Sequence, residues 1–149
     1  LELYCGNANF SLALAPYFKQ VVATEISRTS IKSAQYNIAL NNIDNVEVLQ
    51  MSAEDVAKSL ENGTALKQLE LAGMALNTVL VDPPRAGLDP DTVNLVSRFE
   101  NVIYISCNPD TLAVNLQSLD STHRILQTAL FDQFPYSHHV ETGVWLQKR

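Results

Sequence analysis

The sequence predicts an α/β domain on a mostly parallel central sheet with helices on both faces. Three observations lead there. Short β-rich runs alternate with helical stretches along the whole chain, the pattern of strand–helix–strand crossovers. Several runs, such as Val21-Val22-Ala23 and Val79-Leu80-Val81, are apolar at successive positions, as strands covered on both faces require. The last two runs have no helix between them, so one is expected to close the sheet as an antiparallel strand.

The elements follow in order. Leu1 to Tyr4 reads as a strand that breaks at Gly6. Asn9 is expected to cap a helix carrying Phe10, Leu12, Leu14 and Phe18. Val21 to Glu25 is a second strand ending in an acid. Ser27 caps a helix running to about Asn41, with Ile31, Ala34, Ile38 and Ala39 on one face. Val46 to Gln50 is a third strand, and Ala53 to Leu60 a helix closed near Asn62-Gly63. Residues 64–73 are expected to be helical. Thr78 to Asp82 is a fourth strand, stopped by Pro83-Pro84. Asp91 to Phe99 is a helix after the Asp89-Pro90 start signal. Val102 to Ser106 is a fifth strand, and Pro109 to Leu119 a helix with proline in its first turn. Arg124 to Leu130 and Val140 to Gln147 are the closing strands.

A chain of 149 residues suits one domain, 1–149. It needs no metal or disulfide staple to hold a core of this size. With 46% hydrophobic and 17% charged residues it reads as a packed globule. No apolar run approaches the ~18 residues of a membrane span, and no signal peptide is visible. Cys5 and Cys107 are far apart and read as free thiols, which fits a cytoplasmic location. The chain begins at Leu1, inside a strand and without Met, so we read it as a piece of a longer protein. The net charge of −6 argues against strong nucleic-acid binding by this piece alone, because phosphate contacts need Lys and Arg.

In such sheets ligands bind beyond the carboxyl ends of the strands. After the first strand, Tyr4-Cys5-Gly6-Asn7-Ala8-Asn9-Phe10 forms a small-residue turn that lets a ligand near the backbone, or is an ordinary strand–helix turn. Glu25 lies about 20 residues past that glycine, where an acid can accept hydrogen bonds from both hydroxyls of a ribose. Spacing favours this over a solvated acid beside a helix N-terminus. After the fourth strand, the prolines of Asp82-Pro83-Pro84-Arg85 stiffen the exit and hold Asp82 at the sheet edge, able to contact a cofactor or base. After the fifth strand, Cys107 in Ser106-Cys107-Asn108-Pro109 sits where a helix begins, and helix N–H groups favour a thiolate there. Cys5 fits a buried small hydrophobe equally well. His138 and His139 are adjacent and point to opposite faces of a strand, so no metal is expected. Glu141 could be a base or a solvated strand residue.

Together, Leu1-Glu2-Leu3-Tyr4-Cys5-Gly6-Asn7, Asp82-Pro83-Pro84-Arg85, Ser106-Cys107-Asn108-Pro109 and the run from Phe131 to Gly143 resemble the catalytic domain of the RNA uracil-C5 methyltransferases. The resemblance covers the whole chain. Tyr4-Cys5-Gly6-Asn7 and His138-His139-Val140-Glu141-Thr142-Gly143 favour the branch that acts on tRNA over the sister branch that modifies ribosomal RNA. The family usually has glycine where this chain has Ala8.

The resemblance implies a Rossmann-like class I fold and S-adenosylmethionine as cofactor. Tyr4, Asn9, Glu25 and Asp82 would line the cofactor site. Cys107 would be the nucleophile toward uracil C6, and Glu141 would accept the C5 proton of a T-loop uridine. It further implies an N-terminal region, outside this chain, that carries much of the RNA-binding surface, and a monomeric enzyme. Two other readings are an exocyclic-amine methyltransferase, in which Cys107 would have no task, and a cofactor-binding piece inactive in isolation.

Overall fold

The structure, a computed structural model, describes residues 1–62, 76–137 and 139–149. The expected helix at 64–73 therefore lies outside the described residues, as does His138. The chain forms two compact units, Leu1–Leu76 and Asn77–Arg149.

The first unit holds three parallel strands, β1 (Glu2–Leu3), β2 (Val21–Glu25) and β3 (Val46–Gln50), in the order β3-β2-β1. Helix α1 (Asn9–Leu14) continues as a 3-10 turn, Ala15–Tyr17; α2 (Arg28–Leu40) follows β2, and α3 (Ala53–Asn62) follows β3. Strand β1 is shorter than the expected Leu1–Tyr4, ending before Tyr4, whose φ of 62° is left-handed. The core is made by Leu3, Val22, Ala23 and Ala34, all fully buried. Glu2 is buried among them, and the Ser11 hydroxyl donates to its carboxylate.

Ser27 caps α2 as expected, its hydroxyl accepting from the Ser30 amide. Ile31 and Ala34 are buried, but Ile38 is only partly covered and Ala39 is exposed, so the apolar stripe is narrower than the pattern implied. Asn9 is not a cap: it is the first residue of α1, and Ala8 holds the cap position with no side-chain bond. An oxygen-bearing cap works from extended backbone. Ala8 instead turns left-handed, with φ 68°, and its methyl is fully buried.

The second unit holds β4 (Thr78–Val81), β5 (Asn101–Ser106), β6 (His123–Phe131) and β7 (Glu141–Lys148), in the order β4-β5-β7-β6. Strands β4 and β5 are parallel, and β7 runs antiparallel to both β5 and β6. Among the described strands of this unit, the reversed one is thus the last. Helices α4 (Pro90–Val96) and α5 (Pro109–Leu119) each begin with proline in the first turn. Val79, Val81, Val102, Tyr104, Leu95 and Leu146 form the core. His123 is also buried, its Nε2 bonded to the Phe99 carbonyl at 2.9 Å and its Nδ1 to the Thr122 hydroxyl at 2.8 Å.

Candidate active site

The expected site residues fall in both units. In the first, Tyr4, Asn9 and Glu25 surround the turn after β1. Tyr4, Gly6 and Ala8 all have positive φ, so the backbone reverses hand at alternate residues. Glu25 organises this turn. Its Oε2 accepts from the Gly6 amide at 3.0 Å, and its Oε1 accepts from the Ile26 and Ser27 amides, each at 2.8 Å. A carboxylate offers about four lone-pair sites, so acceptor capacity remains on Oε2. A Cβ built on Gly6 would meet nothing within 4 Å, so this face of the turn is open.

From the other side Asn37 donates to the Asn7 carbonyl at 3.0 Å. Sequence reasoning missed Asn37, because a polar residue inside a helix carries no signal of a partner 30 positions away. Cys5 is buried, and its thiol is pushed up to about 12 by burial, then by the charges of Glu2 and Glu25. It stays a neutral thiol, in keeping with a packing role. Asn9 is exposed and Tyr4 half-buried at the rim of the turn.

In the second unit, Asp82, Cys107 and Glu141 are brought together by strand register. The last residue of β5, Ser106, pairs with Thr142 of β7. Cys107 and Glu141 are the next residues outward on these neighbouring antiparallel strands. Asp82 leaves β4 directly after Val81, which pairs with Tyr104 of β5. Its carboxyl is held above the ordinary carboxylate range, first by burial and then by the negative charge of Glu141. Two acids and a half-buried thiol therefore share the end of one sheet segment.

The chain around Cys107 is stiffly bonded. The Ser106 hydroxyl donates to the Asn108 carbonyl and accepts from the Asn108 amide. Asn108 caps α5 through Oδ1, which accepts from the Asp110 amide, while its Nδ2 donates to the Arg85 carbonyl at 2.9 Å. Thr111 donates to the same carbonyl at 3.2 Å. The Arg85 guanidinium reaches the Nδ1 of His139 at 3.2 Å. Since arginine only donates, His139 accepts there. Among the described residues no cluster of His, Cys, Asp and Glu could hold a metal ion.

The chain matches the family described as tRNA (Uracil-5-)-methyltransferase over residues 1–149. It is 58% identical to the tRNA/tmRNA (uracil-C(5))-methyltransferase of Actinobacillus pleuropneumoniae, with all of this chain and 41% of the relative covered. It is 56% identical to the protein of the same description in Pseudoalteromonas atlantica, covering 42% of it. The chain thus spans about two-fifths of the length of these curated relatives. Among solved structures it resembles the Pyrococcus abyssi tRNA (uracil-54, C5)-methyltransferase in complex with S-adenosyl-L-homocysteine. That likeness has a TM-score of 0.79 at 31% identity and covers 97% of this chain and 33% of the other. The fold is accordingly the α/β fold of the class I methyltransferases. With a match that runs from its first residue to its last, this chain belongs to the tRNA (uracil-5-)-methyltransferase family.

Proposed function

We propose that this chain is the catalytic part of an S-adenosylmethionine-dependent enzyme that methylates C5 of a T-loop uridine in tRNA. One observation carries the reading: Cys107 and Glu141 stand one step beyond the Ser106–Thr142 pair, beside Asp82. A thiol and a carboxylate so placed can serve one substrate ring from one side of a strand pair.

The turn at Gly6 fits the cofactor, because its open backbone face and the remaining capacity of Glu25 suit a nucleoside with its ribose. Tyr4 and Asn9 would border it. When bound, S-adenosylmethionine supplies an electrophilic methyl group. Uracil C5 is a poor nucleophile until the Cys107 thiolate adds to C6, which places the electron pair of the broken double bond at C5. C5 would then take the methyl group as the sulfur–methyl bond breaks and the cofactor departs as S-adenosylhomocysteine, leaving C5 still carrying its proton. Glu141 removes that proton, the electron pair re-forms the C5–C6 double bond, and the Cys107 thiolate leaves. A stacked uridine must first be extruded, which needs grip on the surrounding RNA. The net charge of −6 makes this chain a weak source of that grip.

The experiment is adduct trapping in the full-length protein with tRNA containing 5-fluorouridine, whose C5 fluorine cannot leave as a proton. Cys107→Ala should abolish both adduct and methylation, and full methylation by that variant would overturn the reading. Glu141→Gln should accumulate adduct on ordinary tRNA, since attack survives and release fails. Normal turnover by Glu141→Gln would remove it from the mechanism.

A further inference from the structure

The turn after β4 is fastened to α5 by one buried side chain. Asn115, in the middle of α5, accepts on Oδ1 from the Leu88 amide at 2.9 Å and from the Tyr104 hydroxyl at 2.7 Å. Its Nδ2 donates to the Leu88 carbonyl at 3.0 Å. The amide therefore satisfies both backbone groups of one loop residue and a phenol of β5. A Cβ on Gly87, at φ 78°, would stand 2.8 Å from Asn115 Oδ1 and 3.1 Å from Thr111 Cβ. The turn can lie this close to α5 only because residue 87 has no side chain. Thr111, four positions before Asn115 and so on the same face of the helix, holds the Arg85 carbonyl that Asn108 also holds.

These bonds have a direction. Asn108 is the neighbour of Cys107, and α5 starts immediately after it. Arg85 is three residues past Asp82, and its guanidinium reaches His139, two residues before Glu141. A buried amide is a costly way to fill space unless all of its bonds are made. Here three are made, two to the Leu88 backbone in the turn that follows Asp82 and one to the Tyr104 hydroxyl of β5.

We propose that Asn115 is a positioning residue: it locks the 85–88 turn onto α5 and so fixes Asp82 and Arg85 relative to the Cys107 sulfur. The proposal rests on the reading of Cys107 as nucleophile. It predicts a specific kinetic defect, because a misplacement of about 1 Å can cost about 100-fold in rate without weakening substrate binding.

The test is the single-turnover rate of adduct formation on 5-fluorouridine tRNA by the full-length protein, with methylation kcat and KM beside it. Asn115→Asp keeps the acceptor for Leu88 and Tyr104 but sets an oxygen against the Leu88 carbonyl. It should slow adduct formation roughly 10- to 100-fold, with KM for tRNA changed less than about threefold. Should Asn115→Asp fail to fold, Thr111→Val carries the test, with a slowing of about three- to tenfold and recovery in Thr111→Ser. Wild-type adduct rates in the folded variants, or a loss that follows only the fraction of melted protein, would overturn the proposal and leave the Cys107 reading standing. A wild-type protein that forms no adduct overturns both.

Discussion

The Glu25 carboxylate accepts a hydrogen bond from the Gly6 amide at 3.0 Å, so the end of one strand shapes the turn that leaves its neighbour. Bonds to a charged acceptor contribute about 1.5–3 kcal/mol each, and Glu25 makes three. Glu25→Gln presents an NH2 group to one side of that cluster. It should destabilise the full-length protein by about 1–3 kcal/mol and weaken S-adenosylhomocysteine binding at least about tenfold. Thermal melts and calorimetry read the two effects, and unchanged affinity would make Glu25 a structural acid only.

Ala8 sits at a position that glycine suits better. Left-handed backbone costs an ordinary residue roughly 1–2 kcal/mol, whereas the buried methyl contributes about 0.8 kcal/mol. Glycine also makes the unfolded chain looser, by about 0.4–1 kcal/mol. Ala8→Gly should therefore leave stability within about 1 kcal/mol of the parent, unlike most changes at buried alanines. Ala8→Val, β-branched at positive φ, should cost well over 2 kcal/mol by the same reasoning. Urea titrations of both variants check this, and a loss above ~2 kcal/mol for Ala8→Gly would refute it.

Asp82 gives a pH signature. Its folded carboxyl lies above its ordinary value of 3.8, so its charged form is disfavoured in the fold. The cost is present above the folded value and vanishes once pH falls below 3.8. Asp82→Asn should raise the melting temperature near neutral pH, by a few degrees at most, with the gain shrinking as the solution is acidified. The same change should weaken cofactor binding. A gain that is flat across pH would contradict the assigned cause.

Asp89 titrates with the opposite sign. Burial pushes its carboxyl up, but hydrogen bonds from the Thr92 hydroxyl and from the Thr92 and Asp91 amides outweigh this and leave it below 3.8. Its stabilisation is present above 3.8 and lost as pH falls through the lower folded value. Asp89→Ala should cost about 1 kcal/mol near neutral pH. Asp89→Asn should retain most of the cap and lose the pH dependence. Melts on an acid series distinguish the two variants.

The strand ends were legible because their punctuation is chemical. Pro83-Pro84 stops β4 where a ladder would need amides, Pro109 starts α5, and Ser27 carries its own cap oxygen. Thus the sequence alone puts Asp82, Glu25 and Cys107 at strand ends. What stayed hidden depends on partners distant in sequence. Nothing in the sequence around Asn115 signals its partner Leu88, 27 positions away. Arg85 meets His139 across 54 positions. The conformation of Ala8 is imposed by the turn, against the residue's own preference, so no local rule finds it.

The reversed direction of β7 has a consequence for how this site can vary. Because β7 begins at Glu141, opposite the end of β5, the ladder itself indexes the acid against the thiol. The hairpin between β6 and β7 only joins two strands already aligned with each other. Residues 132–137 are exposed, so a change of length there would leave the Ser106–Thr142 register, and with it the spacing of thiol and acid, in place.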